Sequence, residues 1–269
     1  MKAFAPARWR PSPLVGASVA AHAAAAGALL LRPAVWPWVV GGLLADHALL
    51  AAAGLVPRSS LLGPNWTRLP PAAARRRELA LTIDDGPDPA VTPRVLELLE
   101  QHRAPATFFC VGARIEQFPE LARDILRRGH AIENHSQRHL RRFSLLGPRA
   151  MVREIGRAQQ SIAAISGEPA RFFRAPAGLR NPFLDPVLTQ LGLRLASWTR
   201  RGFDTVNREP ESVLRRLLNR LAAGDILLLH DGNAARSTDG QPVILAVLPA
   251  LLEAIKAAQL RPVTLRAAL

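Results

Sequence analysis

The chain has 269 residues, 49% of them hydrophobic and 5% aromatic, which suffices for one large domain plus an appendage, and it shows no internal repeat. Its formal charge of +14 is carried almost wholly by arginine, and with no nucleic-acid motif or basic stretch interleaved with aromatics, nucleic acid is set aside in favour of anionic lipid or glycan. A single cysteine excludes an internal disulfide; Cys110, inside the apolar run Thr107-Phe108-Phe109-Cys110-Val111, reads as a packed core thiol.

The first sixty residues differ in kind from the rest. After Lys2, Arg8 and Arg10 come two nearly uncharged runs, residues 13–31 and 34–56, separated by Arg32-Pro33. Each approaches the ~20 apolar residues that cross a bilayer. The first is mostly alanine and contains His22; the second holds Asp46 and His47 near its middle, where an acid costs roughly 2.5 to 3.5 kcal/mol. Residues 1–60 are therefore expected to form a membrane-associated segment of one or two helices, with a secretory signal peptide as the competing reading and no clear cleavage site to support it. If both runs span, they form a hairpin whose positive flanks are Lys2, Arg8 and Arg10 on one side and Arg58, Arg68, Arg75, Arg76 and Arg77 on the other. That bias favours placing the rest of the chain on the cytoplasmic side, whereas a single span would place it on the exported side. Asp46 and His47 would then pair with each other or with His22 inside the hydrocarbon. Residues 61–77, rich in Pro, Arg and Ser, read as a linker, with Trp66 at a membrane interface.

From Leu79 onward, short apolar runs alternate with longer segments of helical spacing. Strands are expected over residues 79–83, 106–111, 131–134, 171–173, 193–198, 225–229 and 262–265. Helices are expected over 93–101, 120–128, 149–165, 184–191, 209–222 and 243–259. The alternation argues a parallel α/β fold. The first strand ends in Asp84-Asp85-Gly86-Pro87, two adjacent acids whose repulsion must be relieved by a cation, a donor or water. His135 and His139 stand four residues apart, a spacing that puts two imidazoles on one side of a helical turn; with a carboxylate from elsewhere they would make a three-ligand divalent metal site. Asp84, Asp85, His135, Arg174, Asp204 and His230 all fall just past expected strand ends, one face of a barrel or of an open doubly wound sheet.

Thr82-Ile83-Asp84-Asp85-Gly86-Pro87, then His135-Ser136-Gln137-Arg138-His139, then Arg174-Ala175-Pro176-Ala177-Gly178, then Leu227-Leu228-Leu229-His230 resemble, in order, the motifs of the polysaccharide deacetylase family, the NodB-type carbohydrate esterases. The resemblance covers roughly residues 78–269 and leaves the N-terminal region outside it. It implies a distorted (β/α) barrel with fewer than eight regular units. It also implies Asp85, His135 and His139 as ligands of one divalent metal, zinc by preference, with cobalt, nickel or iron compatible. Asp84 is then the general base and His230 the acid that protonates the leaving amine, with Asp204, chosen over Asp231, orienting His230. Arg174 would pair with Asp84 and keep it ionised. Ala177 would supply an oxyanion N–H, and Trp198 would line the substrate site.

Two departures stand out. Ala177 replaces the usual tyrosine, in a chain without any Tyr, and Trp198-Thr199-Arg200-Arg201-Gly202-Phe203-Asp204 stands where many relatives carry an Asp-Trp pair after the strand. Arg200 and Arg201 place positive charge near the site mouth, which suits an anionic substrate or is simply a solvated basic loop. The expected protein is a metal-dependent hydrolase that removes an N-acyl group, N-acetyl by preference, from an amino sugar of a glycan or glycolipid. The alternatives are a deformylase or deacylase of a lipid-linked sugar and a catalytically silent glycan-binding module.

Overall fold

The structure, a computed structural model, describes residues 8–269, so Lys2 of the positive flank lies outside the described residues. The two apolar runs are helices, α1 (Pro13–Leu31) and α2 (Trp36–Leu55), joined through Arg32 and one 3-10 turn at Pro33–Val35. Pro13 sits in the first turn of α1, where its missing N–H breaks no bond, and the Ser12 hydroxyl caps that turn by accepting the Val15 N–H at 3.3 Å. Both helices are long and apolar enough to cross a membrane. They are apolar on all sides and bury no stripe against the rest of the chain, leaving Leu30 and Leu31 each 85% exposed. Asp46 has a partner that composition did not reveal: the Ser18 hydroxyl donates to it at 2.7 Å, with His22 and His47 stacked alongside at 5.1 Å between ring centroids.

A short helix, α3 (Pro71–Arg75), leads into the strand–helix alternation. In chain order the elements are β1 (Glu78–Asp84), α4 (Thr92–Gln101), β2 (Ala106–Cys110), α5 (Gly112–Gln117), α6 (Pro119–Arg127), β3 (Ala131–Asn134), α7 (Pro148–Ser166) and β4 (Phe172–Phe173). They continue with α8 (Leu184–Gln190), β5 (Arg194–Leu195), β6 (Arg200–Arg201), α9 (Pro210–Leu218), β7 (Ile226–His230), α10 (Val243–Ala257) and β8 (Arg261–Val263). The strands pair in parallel in the order β5-β4-β3-β2-β1-β7-β6, and β8 pairs with the start of β1. Strands covered on both faces must be apolar nearly throughout, and the central β1 and β7 are buried over their whole lengths. The helices shield them with one-sided stripes: Val95, Leu96 and Leu99 on α4, and Met151, Ile155, Ala158 and Ile162 on α7. The pairings Ile83↔Phe108 and Ile83↔Leu229 set the register, so that β1 and β7 end level, at Asp84↔His230.

The stretch expected to be a linker is packed into the fold. The end strands β5 and β6 do not pair with each other, and residues 66–69 fill the gap between them. Trp66 N–H donates to Leu195 O at 2.9 Å, Ser197 N–H to Trp66 O at 2.8 Å, and Leu69 N–H to Gly224 O at 2.8 Å. Leu62, Leu69 and Ala73 are buried, and Trp66, expected at a membrane interface, stands edge-on to Phe172 at 5.1 Å. Composition misled because this segment closes the barrel through backbone hydrogen bonds, which leave no apolar periodicity in the sequence. β6 carries no apolar signature for the same reason, and α5 is too short to display a helical period.

One buried acid ties this closure together. Asp225, at the start of β7, accepts from Arg200 Nε at 2.5 Å and from Ala222 N–H at 3.0 Å. Arg68 Nη2 lies 3.0 Å from its other oxygen, without hydrogen-bond alignment. Removing the acid strands Arg200 among backbone carbonyls, so Asp225→Ala should lower stability by about 3 kcal/mol. Urea unfolding in detergent should show an earlier midpoint with an unchanged slope. A loss within about 0.5 kcal/mol, as for an ordinary surface change, would show that closure does not depend on this acid.

Candidate metal centre and catalytic pocket

Parallel strands bring their C-terminal ends to one face, and the candidate residues meet there. Asp84 ends β1 and Asp85 follows with φ +75°, and both carboxylates face His135 Nε2, Asp85 Oδ1 at 3.1 Å and Asp84 Oδ2 at 3.9 Å. Gly86 is required next, because a Cβ there would lie 2.4 Å from the Asp231 carboxylate. His135 follows β3. The segment up to His139 is not the helical turn its spacing suggested: Ser136 and His139 both have positive φ, and residues 135–140 form an irregular loop. Side chains fold it locally. Asn134 Oδ1 accepts the Ser136 N–H at 2.9 Å, and Ser136 Oγ accepts the His139 N–H at 3.1 Å. The result still brings the two imidazoles together, 4.8 Å apart.

Asp85 Oδ1 lies 3.1 Å from His135 Nε2 and 3.1 Å from His139 Nε2. His135 Nδ1 faces Arg174 O at 2.9 Å, so its N–H belongs on that side and its Nε2 lone pair turns toward Asp85. Asp85 Oδ1 is buried without a hydrogen-bond partner, while Asn233 Nδ2 donates to Oδ2 at 3.1 Å. Acceptor atoms thus converge with no donor between them, an arrangement that a divalent cation satisfies and that the donor set fits. Burial raises the Asp85 pKa, but His135, His230 and His139 outweigh it and hold the carboxyl well below its usual range. Burial lowers the His135 pKa while Asp84 and Asp85 raise it to a net increase; at His139, burial and the His135 charge lower it. Among the described residues, one other group, His22, Asp46 and His47, also brings three ligand atoms within 4.8 Å, but its two imidazoles are exposed.

Arg174, 1% exposed, donates to Asp84 Oδ1 at 2.6 Å and to Thr82 Oγ1 at 2.8 Å. It also donates to Ala196 O at 3.2 Å and Ser197 O at 2.7 Å, and it lies 4.1 Å over the Phe109 ring. Burial lowers the guanidinium pKa and Asp84 counters it. On β7, His230 Nδ1 is 2.9 Å from Asp204 Oδ1, and Asp204 Oδ2 accepts the His230 N–H at 2.7 Å. Burial disfavours the imidazolium, but Asp204, then Asp84 and Asp85, override it and raise the His230 pKa to about 9. Asp231, the residue passed over for this role, turns away to Thr92 and the Gly232 N–H, and burial raises its pKa to about 7.

A cavity of about 180 Å³ is lined by Asp84, Asp85, His135, His139, Ala177 and His230, with Trp198, Arg201, Thr205 and Asn233 among the remaining walls. The expected metal ligands, base, acid and their partners thus come to this face, Arg174 and Asp204 standing behind the wall and holding residues that line it; of the two arginines expected near the site mouth, Arg201 lines the cavity and Arg200 turns to Asp225 instead. Ala177 adopts φ +55° in a single 3-10 turn, Pro176–Gly178, and is exposed at the rim. Gly178, with φ +75°, leaves no room for a side chain: its Cβ would lie 2.6 Å from Trp198 and 2.7 Å from Pro57. Thr82 and Asn233 are the contacts that sequence reasoning missed. Asn233 stands three residues past His230, where the same strand-end logic extends to it.

Comparison with known proteins agrees with this face. The family model described as polysaccharide deacetylase matches residues 72–196. The chain is 37% identical over 161 residues to the peptidoglycan-N-acetylglucosamine deacetylase of Bacillus cereus, covering 59% of this chain and 75% of that protein. It is 37% identical over 153 residues to the chitooligosaccharide deacetylase of Azorhizobium caulinodans, covering 56% and 72%. Among solved structures, the family 4 carbohydrate esterase of Streptomyces lividans in complex with acetate superposes with a TM-score of 0.62 at 31% identity, over 69% of this chain and 91% of that one. A peptidoglycan N-acetylglucosamine deacetylase shares the fold with a TM-score of 0.68 at 24% identity, over 76% and 92%. A barrel of parallel strands with its ordered motifs gathered at the strand ends, and relatives covered over most of their length, place the chain in the polysaccharide deacetylase family.

Proposed function

We propose that the chain is a metal-dependent hydrolase that removes an N-acyl group, N-acetyl by preference, from an amino sugar, with residues 78–269 as the catalytic domain and the apolar hairpin as its membrane anchor. One observation carries the reading. The buried, donorless meeting point of Asp85, His135 and His139 opens on the same cavity as an arginine-anchored carboxylate and a charged imidazole. A binding module needs no such base and acid together.

Two imidazole nitrogens and one carboxylate suit zinc, held by Asp85, His135 and His139. Bound there, a divalent cation supplies the Lewis acidity that polarises an acyl carbonyl and makes water a nucleophile at neutral pH. The remaining work falls to the chain's own side chains. Arg174 occupies Asp84 Oδ1 and fixes the carboxylate in place, leaving Oδ2 to take the proton of the attacking water. Ala177, turned into the rim by its left-handed backbone, presents its N–H to the oxygen on which negative charge develops. His230 delivers its Nε2 proton to the departing nitrogen, so that the C–N bond breaks to give a free amine and a carboxylic acid. Asp204 holds the imidazole by Nδ1 and keeps it charged until that moment. Trp198 provides an apolar wall beside them.

The role of Asp84 separates cleanly from that of the ligands. Asp84→Asn should lower turnover of an N-acetylated chitooligosaccharide about 10²- to 10⁴-fold with metal content unchanged, whereas His135→Ala should lose both. Elemental analysis beside a deacetylation assay reads the two, and equal metal in wild type and His135→Ala would remove that residue from the ligand set.

The charged form of His230 is the competent one, and its raised pKa keeps that form up to about pH 9. Loss of the His230 proton should therefore lower the rate as pH rises through about 9. Asp204→Asn removes the main support of the imidazolium, so the descending limb should move to lower pH by about one unit or more. A limb that stays in place would assign the titration to another group.

A further inference from the structure

We infer that Arg201 forms an anion subsite at the rim of the catalytic cavity, and that the acylated amino sugar this enzyme takes carries a phosphoryl group; the inference rests on the deacylase reading above. Neighbouring residues in a strand face opposite ways, and the pair on β6 is divided accordingly. Arg200 is consumed by structure: it binds Asp225 and the carbonyls of Asn219 and Arg220. Arg201 faces the other way and lines the cavity with Asp84, Trp198 and His230.

Its guanidinium lies near two aromatic rings, 5.3 Å from the Trp198 centroid and 4.9 Å from that of Phe203. Ring contact of this kind displaces water from a guanidinium without supplying its N–H groups with an acceptor. Arg201 Nε is buried with no acceptor. Among the described residues no carboxylate lies within ion-pair distance of Arg201, and the two acids that line the cavity face other partners, Asp84 toward Arg174 and Asp85 toward its meeting point with His135 and His139. A second unpaired cation, Arg216, lies 5.5 Å over the outer ring, Phe203. A buried donor without an acceptor is costly, and a planar guanidinium fork is suited to phosphoryl oxygens. The missing acceptor therefore comes with the substrate.

The position of this rim bears on the source of the phosphoryl group. Trp198 and Pro57 meet at Gly178, and the Ser197 hydroxyl donates to Pro57 O at 2.7 Å, two residues past the end of α2. The subsite is thus continuous with the base of the apolar hairpin, where a sugar linked to lipid through phosphate would present itself. A free sugar phosphate offers the same chemistry.

The test uses the full chain in lipid nanodiscs with three substrates: octyl N-acetylglucosaminide, N-acetylglucosamine 1-phosphate, and N-acetylglucosamine joined through a diphosphate to a prenyl chain. Both phosphorylated substrates should exceed the neutral glycoside in kcat/KM by about tenfold or more, and Arg201→Gln should erase that ratio while Arg201→Lys restores part of it. An unchanged ratio in Arg201→Gln overturns the subsite. A further gain with the prenyl diphosphate supports a lipid-linked substrate, and parity supports a free sugar phosphate. Calorimetric titration with N-acetylglucosamine 1-phosphate reads the subsite without turnover, and affinity should fall about tenfold in Arg201→Gln. If no substrate is hydrolysed yet this loss is seen, the deacylase reading fails and the subsite stands; equal affinity in the two proteins overturns the subsite.

Discussion

A guanidinium at 1% exposure can stay charged only where an anion and enough acceptors surround it, and Arg174 is built into the fold on those terms. Its donors reach Thr82 and Asp84 on β1 and the carbonyls of Ala196 and Ser197 beyond β5, and its face rests on Phe109 of β2. Strands far apart in sequence are tied at the level where the site begins. A buried ion pair is an uncertain source of net stability, because desolvating two charges cancels much of their attraction. What it does supply is position. Asp84 has one oxygen fixed and one free, and His135, whose Nδ1 faces the carbonyl of the same arginine, is aimed by the same residue.

The site was legible in the sequence to the extent that strand-end chemistry is local. An apolar run that stops at Asp84-Asp85-Gly86-Pro87 announces its own C-terminus, and Leu227-Leu228-Leu229-His230 does the same, so β1 and β7 lie where expected and end level. The loop from His135 to His139 was not legible. Its shape depends on Asn134 and Ser136 side chains replacing backbone partners, and the positive φ values this produces have no periodic signature. Nor was the role of residues 66–69 legible, since a segment that closes a barrel by main-chain hydrogen bonds needs no apolar residues. Arg200 and Arg201 looked equivalent, and only the strand pairing with β7 separates a structural arginine from one that lines the cavity.

The hairpin and the cavity are mechanically one piece. Arg180 N–H donates to Gly54 O at 3.2 Å inside the last turn of α2, and a Cβ on Gly54 would strike the Arg180 carbonyl. Ser12 Oγ donates to Leu61 O at 2.7 Å, and Trp9 Nε1 to Asp185 at 2.8 Å, so the start of α1 is held as well. With the hairpin as the proposed anchor, polar contacts of this kind, at the end of helices otherwise apolar on every side, fix the height and tilt of the cavity above the membrane. An enzyme that acts on a diffusible oligosaccharide gains nothing from such a fixed height, whereas one that acts on a substrate held at the same surface gains orientation before the first contact.

The central claim is that Asp85, His135 and His139 are arranged around a cation. Anomalous X-ray diffraction from crystals of the full chain, collected on both sides of the absorption edge of the metal that co-purifies, tests it most directly. The account predicts one strong difference peak about 2.0 to 2.2 Å from His135 Nε2, His139 Nε2 and a carboxylate oxygen of Asp85. A cavity without that peak, or a peak only at His22, Asp46 and His47 in the hairpin, would contradict it.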